Sequence, residues 1–184
     1  MRILSIMWSS YLPLLSEAAR VLGFELTAYS TKQIKREPGL VSRIASEIGK
    51  ADLVLLYRTS DDFWEELEQT VLTVKDRMPV VVVGPEPSFS ALSNVNPEIV
   101  ATVYKYILFG GAGNMRNMLD YLLSNLFGET VTFAFPEPLP WRASIIRRSP
   151  AFSRPRPTSF PLTGSSSPPP RRLLWASSSR APTG

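Results

Sequence analysis

The 184-residue chain contains neither histidine nor cysteine. Without cysteine there is no disulfide framework, no thiolate nucleophile and no sulfur ligand for a metal. Without histidine the commonest general base and transition-metal ligand is missing, so a zinc finger, a histidine-dependent triad and a cobalt-binding imidazole are excluded within this polypeptide. Long apolar runs are also lacking. Strongly apolar runs such as Val80 to Val83 are far short of the roughly 20 residues a membrane helix needs. The first residues, Met1-Arg2-Ile3-Leu4, carry one basic side chain but no extended apolar segment with a small-residue cleavage site. The expectation is a cytoplasmic protein with no signal peptide and no membrane span.

Acidic residues are missing from one part of the chain only. Residues 1–141 hold 12 Lys and Arg against 16 Asp and Glu, whereas residues 142–184 hold 8 Arg and no acid. The overall charge of +4 therefore averages an acidic body and a basic tail. The body gives no electrostatic reason to expect a specific nucleic-acid partner.

Within the body, short apolar segments alternate with helical periodicities. Arg2–Trp8, Phe24–Tyr29, Asp52–Tyr57 and Pro79–Gly84 read as strands. Between them, Leu12, Leu15, Ala18, Ala19 and Leu22 recur at helical spacing up to Gly23, with Ser9 or Ser10 as cap. A second helix runs from Pro38 towards Gly49 with Val41, Ile44, Ala45 and Ile48 on one face. A third, capped by Ser60 and Asp61, turns Phe63, Leu67, Val71 and Val74 inward. Strands that are apolar on both faces and alternate with helices predict an α/β fold with a parallel sheet covered on both sides. The expected arrangement is a flavodoxin-like, doubly wound sheet of order 2-1-3-4, with C-terminal helices and a disordered tail. The domain reading is 1–93 for the sheet domain, 94–141 for a helical extension and Pro-rich linker, and 142–184 for the tail.

In such a sheet, ligands gather beyond the carboxyl ends of the strands. That places Trp8, Ser9, Arg58, Gly84 and Glu86 at a rim, with Asn94 and Asn96 as further polar candidates in the loop from Pro85, which reads as its mobile element. Trp8 offers a stacking surface, and Arg58 a partner for a carboxylate or phosphate. A purely structural reading stands beside this one: Ser9 and Ser60 cap helices, Trp8 is half buried, and Arg58 is solvated or pairs with Asp61 or Asp62. The acidic pairs Asp61-Asp62 and Glu65-Glu66 suit a helix N-terminus, where Glu65 or Glu66 can complete a capping box, better than a metal site. Gly110-Gly111-Ala112-Gly113 follows a helix and lacks the Lys-Ser/Thr of a phosphate-binding loop, so it reads as a turn.

Residues 94–128 predict two helices. Asn96 caps the first, Pro97 opens it, and Ile99, Val103, Ile107 and Leu108 share a face. The second opens near Asn114, carries Met115, Met118, Leu119, Leu122, Leu123 and Leu126, and closes at Gly128. The order Tyr104-Lys105-Tyr106, Leu108-Phe109-Gly110-Gly111, Asn114 resembles the N-terminal region of the cobaltochelatase large subunit and of its relative, the H subunit of magnesium chelatase. The segment Pro136-Glu137-Pro138-Leu139-Pro140-Trp141 is similar to a Pro-Trp junction that in this family leads into Glu-Gly-Ile-Tyr-His-Pro. Here Arg142-Ala143-Ser144-Ile145-Ile146-Arg147 follows instead.

Read from the third base of each codon, that stretch permits Gly-Ile-Tyr-His-Pro. At the same offset, Leu174 to Gly184 permits Val-Gly-Leu-Leu-Phe-Ser-Arg-Ala-His-Trp, also similar to the family. The expectation is a frameshift after Trp141 and an out-of-frame tail. The tail's 8 Arg, 8 Pro and 10 Ser among 43 residues agree with a GC-rich gene read out of register and with disorder.

The resemblance implies part of a tetrapyrrole-binding subunit that inserts Co(II) into a corrin precursor in cobalamin biosynthesis, or Mg(II) into protoporphyrin. It implies AAA+ ATPase and metal-binding partner subunits that bring ATP and Mg, with Co as substrate metal. It carries no catalytic or metal-ligating residue onto this chain, and the fragment is expected to be inactive alone. Two readings from other classes remain open: a stand-alone flavodoxin-like small-ligand binding module, and an adaptor that holds nucleic acid through its arginine tail.

Overall fold

The computed structural model describes residues 1–139, and the tail, its expected frameshift and disorder included, lies outside the described residues. The elements run β1 (Arg2–Met7), α1 (Leu12–Val21), β2 (Glu25–Ser30), α2 (Thr31–Arg36), α3 (Leu40–Ile48), β3 (Leu53–Tyr57), α4 (Phe63–Val74) and β4 (Val80–Val83). A 3-10 turn (Pro87–Leu92) and two helices, α5 (Pro97–Phe109) and α6 (Ala112–Phe127), follow. The four strands form one sheet of order β2-β1-β3-β4, and every pairing is parallel. The architecture is the α/β sheet that the alternating pattern predicts.

Strand alternation divides the core in two. Ile3, Met7, Leu55, Tyr57, Val81 and Val83 face one side, where α1, α5 and α6 cover them. Leu4, Ile6, Val54, Leu56, Val80 and Val82 face the other, against α3 and α4. Both faces are buried, which is why the strands read as unbroken Val, Leu and Ile runs. Each fully buried aliphatic side chain contributes about 1.5–3 kcal/mol relative to exposure. α5 and α6 belong to the first of these cores: Val103, Tyr106, Ile107, Met115 and Met118 are as buried as the strands themselves.

Several local expectations are corrected. Tyr11, not Ser9 or Ser10, occupies the N-cap of α1, and no side chain caps that helix. Asp62, not Ser60 or Asp61, precedes α4, again without a side-chain cap, so Glu65 and Glu66 form no capping box and act only as first-turn acids. Trp64 is the buried aromatic of α4, its indole N–H donating to Thr59 Oγ1 at 3.0 Å, while Phe63 only packs at its margin. On α5, Leu108 is 61% exposed and Tyr106 is fully buried. The phenol of Tyr106 donates to the carbonyl of Ala134 at 2.6 Å, which satisfies the one polar atom that would oppose its burial. The helix expected from Pro38 begins at Leu40. Before it comes the unanticipated α2, fixed by a capping box in which the Ser30 hydroxyl accepts from Gln33 N and the Gln33 side chain accepts from Ser30 N.

The loop after β4 is anchored. Ser93 Oγ bonds both N and O of Val82, and Asn94 Oδ1 accepts from Val80 N at 2.7 Å while its Nδ2 donates to Met78 O and Lys75 O. The Gly110-Gly111 turn joins α5 to α6 with φ of 64° and 83°, conformations that a side chain would strain. Residues 131–139 then run back along α6 as an extended strap.

Candidate functional site

The carboxyl ends of β1, β3 and β4 open onto one rim, and four aromatic rings meet there. Trp8, at the end of β1, stacks parallel on Tyr11 with centroids 6.2 Å apart and tilts against Tyr57 at 5.2 Å. Tyr11 and Tyr57 are 6.1 Å apart. Burial pushes the Tyr57 phenol up, helped by the neighbouring Tyr104 and Tyr11 phenols. Trp8 remains 44% exposed, so part of its ring is open to solvent at the rim.

Tyr104 also lines a cleft of about 470 Å³ between the β4 rim, the 3-10 turn and α5. Its walls are largely apolar, formed by Pro85, Pro87, Val95, Val100 and Ala101, with Glu86 and Ser90 as polar groups. This volume lies in the range of small-molecule sites. Glu86 is held by the Ser60 hydroxyl, which donates to its carboxylate at 3.1 Å.

Arg58 closes the back of this rim, charge-paired to a neighbouring carboxylate although its buried Nε has no hydrogen-bond partner among the described residues. Its guanidinium donates to Glu68 at 2.9 Å and lies 4.5 Å over the Phe89 ring. The partner is therefore Glu68 on α4, instead of Asp61 or Asp62, which precede that helix. Asp61 is engaged elsewhere: burial pushes its carboxyl up, yet the hydrogen bonds from Lys35 and Thr59 outweigh this and leave it below the ordinary value. Gly84 permits the close packing, because a Cβ there would lie 2.6 Å from the Arg58 carbonyl and 2.7 Å from Phe89.

Of the sequence-predicted candidates, Trp8, Arg58, Gly84 and Glu86 come together at the rim. Ser9 is exposed beside Trp8 and makes no side-chain hydrogen bond among the described residues. Asn94 and Asn96 lie apart: Asn94 holds the amino end of β4, and Asn96 caps α5 by accepting from Glu98 N at 2.8 Å. Sequence reasoning missed Tyr11 and Tyr104, and placed Tyr57 at the rim without giving it a role. The spacing of Trp8 and Tyr11 across one turn, and Tyr57 as the last residue of its strand, were the available signals. The arrangement is suited to holding a flat or apolar group. It offers no general base of the histidine or cysteine type, and among the described residues no three potential ligands gather to hold a metal ion.

Fold and rim together define a small parallel α/β unit whose sheet order is flavodoxin-like. The fold is similar to that of the catalytic subunit of cobaltochelatase from Mycobacterium tuberculosis, with a TM-score of 0.57 and 18% identity over 76% of this chain and 11% of that one. In sequence the chain is 32% identical over 123 residues to a protein of Methanocaldococcus jannaschii that is itself described as uncharacterized. That alignment takes in 67% of this chain but only 9% of the relative's length. No family model matches the chain.

Proposed function

We propose that the chain is the N-terminal part of the tetrapyrrole-binding large subunit of an ATP-dependent cobaltochelatase, which inserts Co(II) into a corrin precursor in cobalamin biosynthesis. The observation that carries this reading is the cobaltochelatase-like fold over 76% of the chain. It coincides with the Tyr104–Asn114 word order that independently resembles the same family. The chain spans about a tenth of the proteins it resembles, so the chemistry belongs to the intact subunit. The fragment by itself is inactive. ATP and Mg enter through AAA+ and metal-binding partner subunits, in accord with a rim where Arg58 is already paired and the glycine-rich turn lies between two helices.

The test is to sequence the gene across the codons for Pro140 to Ser144 and several hundred bases beyond. One additional base that restores Glu-Gly-Ile-Tyr-His-Pro after Trp141 supports the reading. A frame that is closed by stop codons overturns it. With the frame restored, metal insertion assayed with Co(II) and a corrin precursor, against Mg(II) and protoporphyrin, separates cobaltochelatase from an H-type magnesium chelatase subunit.

The 470 Å³ rim cleft favours a second reading, a stand-alone binding module for a small apolar ligand. Saturable binding of such a ligand to the 184-residue chain, abolished by Tyr104→Ala, together with a closed alternative frame, would establish it.

A further inference from the structure

The rim cleft is poor in hydrogen-bond donors. In open α/β sheets an anion beyond a strand end is held by backbone N–H groups at the start of the next helix. Here β4 runs into Gly84-Pro85-Glu86-Pro87, and Pro97 opens α5 on the far wall of the cleft. None of these prolines has an N–H to offer.

The side chains supply few donors either. Ser90 gives its hydroxyl proton to Pro87 O at 2.6 Å, and Ser93 gives its own to Val82 O at 3.2 Å. Apart from the Tyr104 phenol, the polar side chains that line the cleft can therefore only accept. Among the described residues no lysine or arginine lines it. Arg58, over the Phe89 ring, is not part of the lining, and its charge is matched by Glu68 at 2.9 Å. Glu86 is thus the one charged group among the described lining residues. One of its oxygens accepts from the Ser60 hydroxyl, and the other makes no hydrogen bond among the described residues.

A phosphate or carboxylate seated here would face a carboxylate and find few donors, so its lost hydration would go unreplaced. A wholly apolar molecule would leave Glu86 unused. An ammonium group brings both a positive charge and N–H donors, while an apolar body attached to it covers Pro85, Val100 and Ala101. We propose that the rim cleft is a site for a small primary amine with an apolar body, its ammonium donating to Glu86. The proposal rests on the reading of this cleft as a small-ligand site and adds the charge and donor character of the ligand. The cleft volume of about 470 Å³ admits a bicyclic aromatic body.

The test is a set of ¹H–¹⁵N NMR titrations of the 184-residue chain with probes that share an indole body and differ in the head group: tryptamine, tryptophol and indole-3-acetate. The expected result is saturable shifts at the Ser90, Ala91 and Ala101 amides, with tryptamine binding about fivefold tighter than tryptophol and indole-3-acetate weakest. Glu86→Gln abolishes the preference for the amine. Glu86 is exposed, so the fold is retained. Indole-3-acetate gathered by the arginines of the tail shifts no amide of the cleft. Tryptophol or indole-3-acetate binding in the cleft as tightly as tryptamine, or an amine preference that survives Glu86→Gln, overturns the amine assignment and leaves a small-ligand cleft standing. If none of the probes shifts the cleft amides, both the assignment and the small-ligand reading fall.

Discussion

Asn114 and Glu137 exchange two hydrogen bonds as paired strands do: Asn114 Nδ2 donates to Glu137 O at 2.7 Å, and Glu137 N donates to Asn114 Oδ1 at 3.2 Å. The same Nδ2 donates to Gly110 O at 2.8 Å, so one buried amide ties the α5–α6 turn to the strap. Asn117 repeats the device one helical turn on, accepting from Ala134 N at 3.2 Å. Replacing Asn114 with alanine leaves these backbone groups without partners. The expected cost is about 1–3 kcal/mol in urea denaturation, with faster amide exchange at Ala134 and Glu137 while the sheet amides keep their protection.

Gly84→Ala tests the close approach behind the rim. A Cβ at this position meets the Arg58 carbonyl and the Phe89 ring together. Loss of about 1–3 kcal/mol is expected, as for other overpacked sites. Because the carbonyl belongs to the backbone and cannot move aside, adding Phe89→Ala does not restore stability. Urea midpoints of the single and double variants decide this.

Asp120 makes stability depend on pH with a defined sign. Burial raises its folded pKa above the unfolded value, so the native state holds its proton more tightly. This contribution is fully present below the unfolded pKa and is lost as pH rises through the folded one. Asp120→Asn should therefore raise the melting temperature at neutral pH. The gain shrinks towards zero as the wild-type carboxyl becomes protonated, which thermal scans between acid and neutral pH would follow.

Tyr106 gives the matching test in the alkaline range. Burial, with the nearby Tyr121 and Asp120, pushes its phenol up to about 12. Between the ordinary tyrosine value and that figure only the unfolded state loses this proton, so stability falls as pH rises. Ultraviolet titration should show a tyrosine ionising late. Tyr106→Phe removes that late step, and it also lowers stability by about 0.5–1.5 kcal/mol through the lost bond to Ala134 O.

The sheet was legible because its four strands are buried on both faces, which leaves Leu53–Tyr57 and Val80–Val83 as uninterrupted apolar words. α2 escaped notice because six residues are too few for a helical stripe to repeat. Only Ser30 and Gln33, three apart, marked its start. Trp64 and Tyr106 were left out of the expected inward faces for a shared reason: an aromatic ring with one polar atom is buried only if a partner is found, and those partners, Thr59 and Ala134, lie in other segments. Likewise the fate of Arg58 rests on Glu68 and Phe89. Local periodicity carries no information about such pairings. The rim position of Trp8, Gly84 and Glu86 could be read from strand ends alone, whereas the distant station of Asn94 could not.

The side chains of Ser93 and Asn94 have a consequence for how this unit meets its neighbours. By occupying the outward N–H groups of Val80 and Val82, they shut the flank of β4 that would otherwise invite a fifth strand. The sheet thus ends at four strands on this side by chemistry, not for want of chain. On the β4 side a larger polypeptide must attach through helices, loops or strand ends, and self-association by edge-to-edge pairing is blocked along β4. Ser93→Pro combined with Asn94→Ala would unlatch that flank and turn a sealed border into an adhesive one.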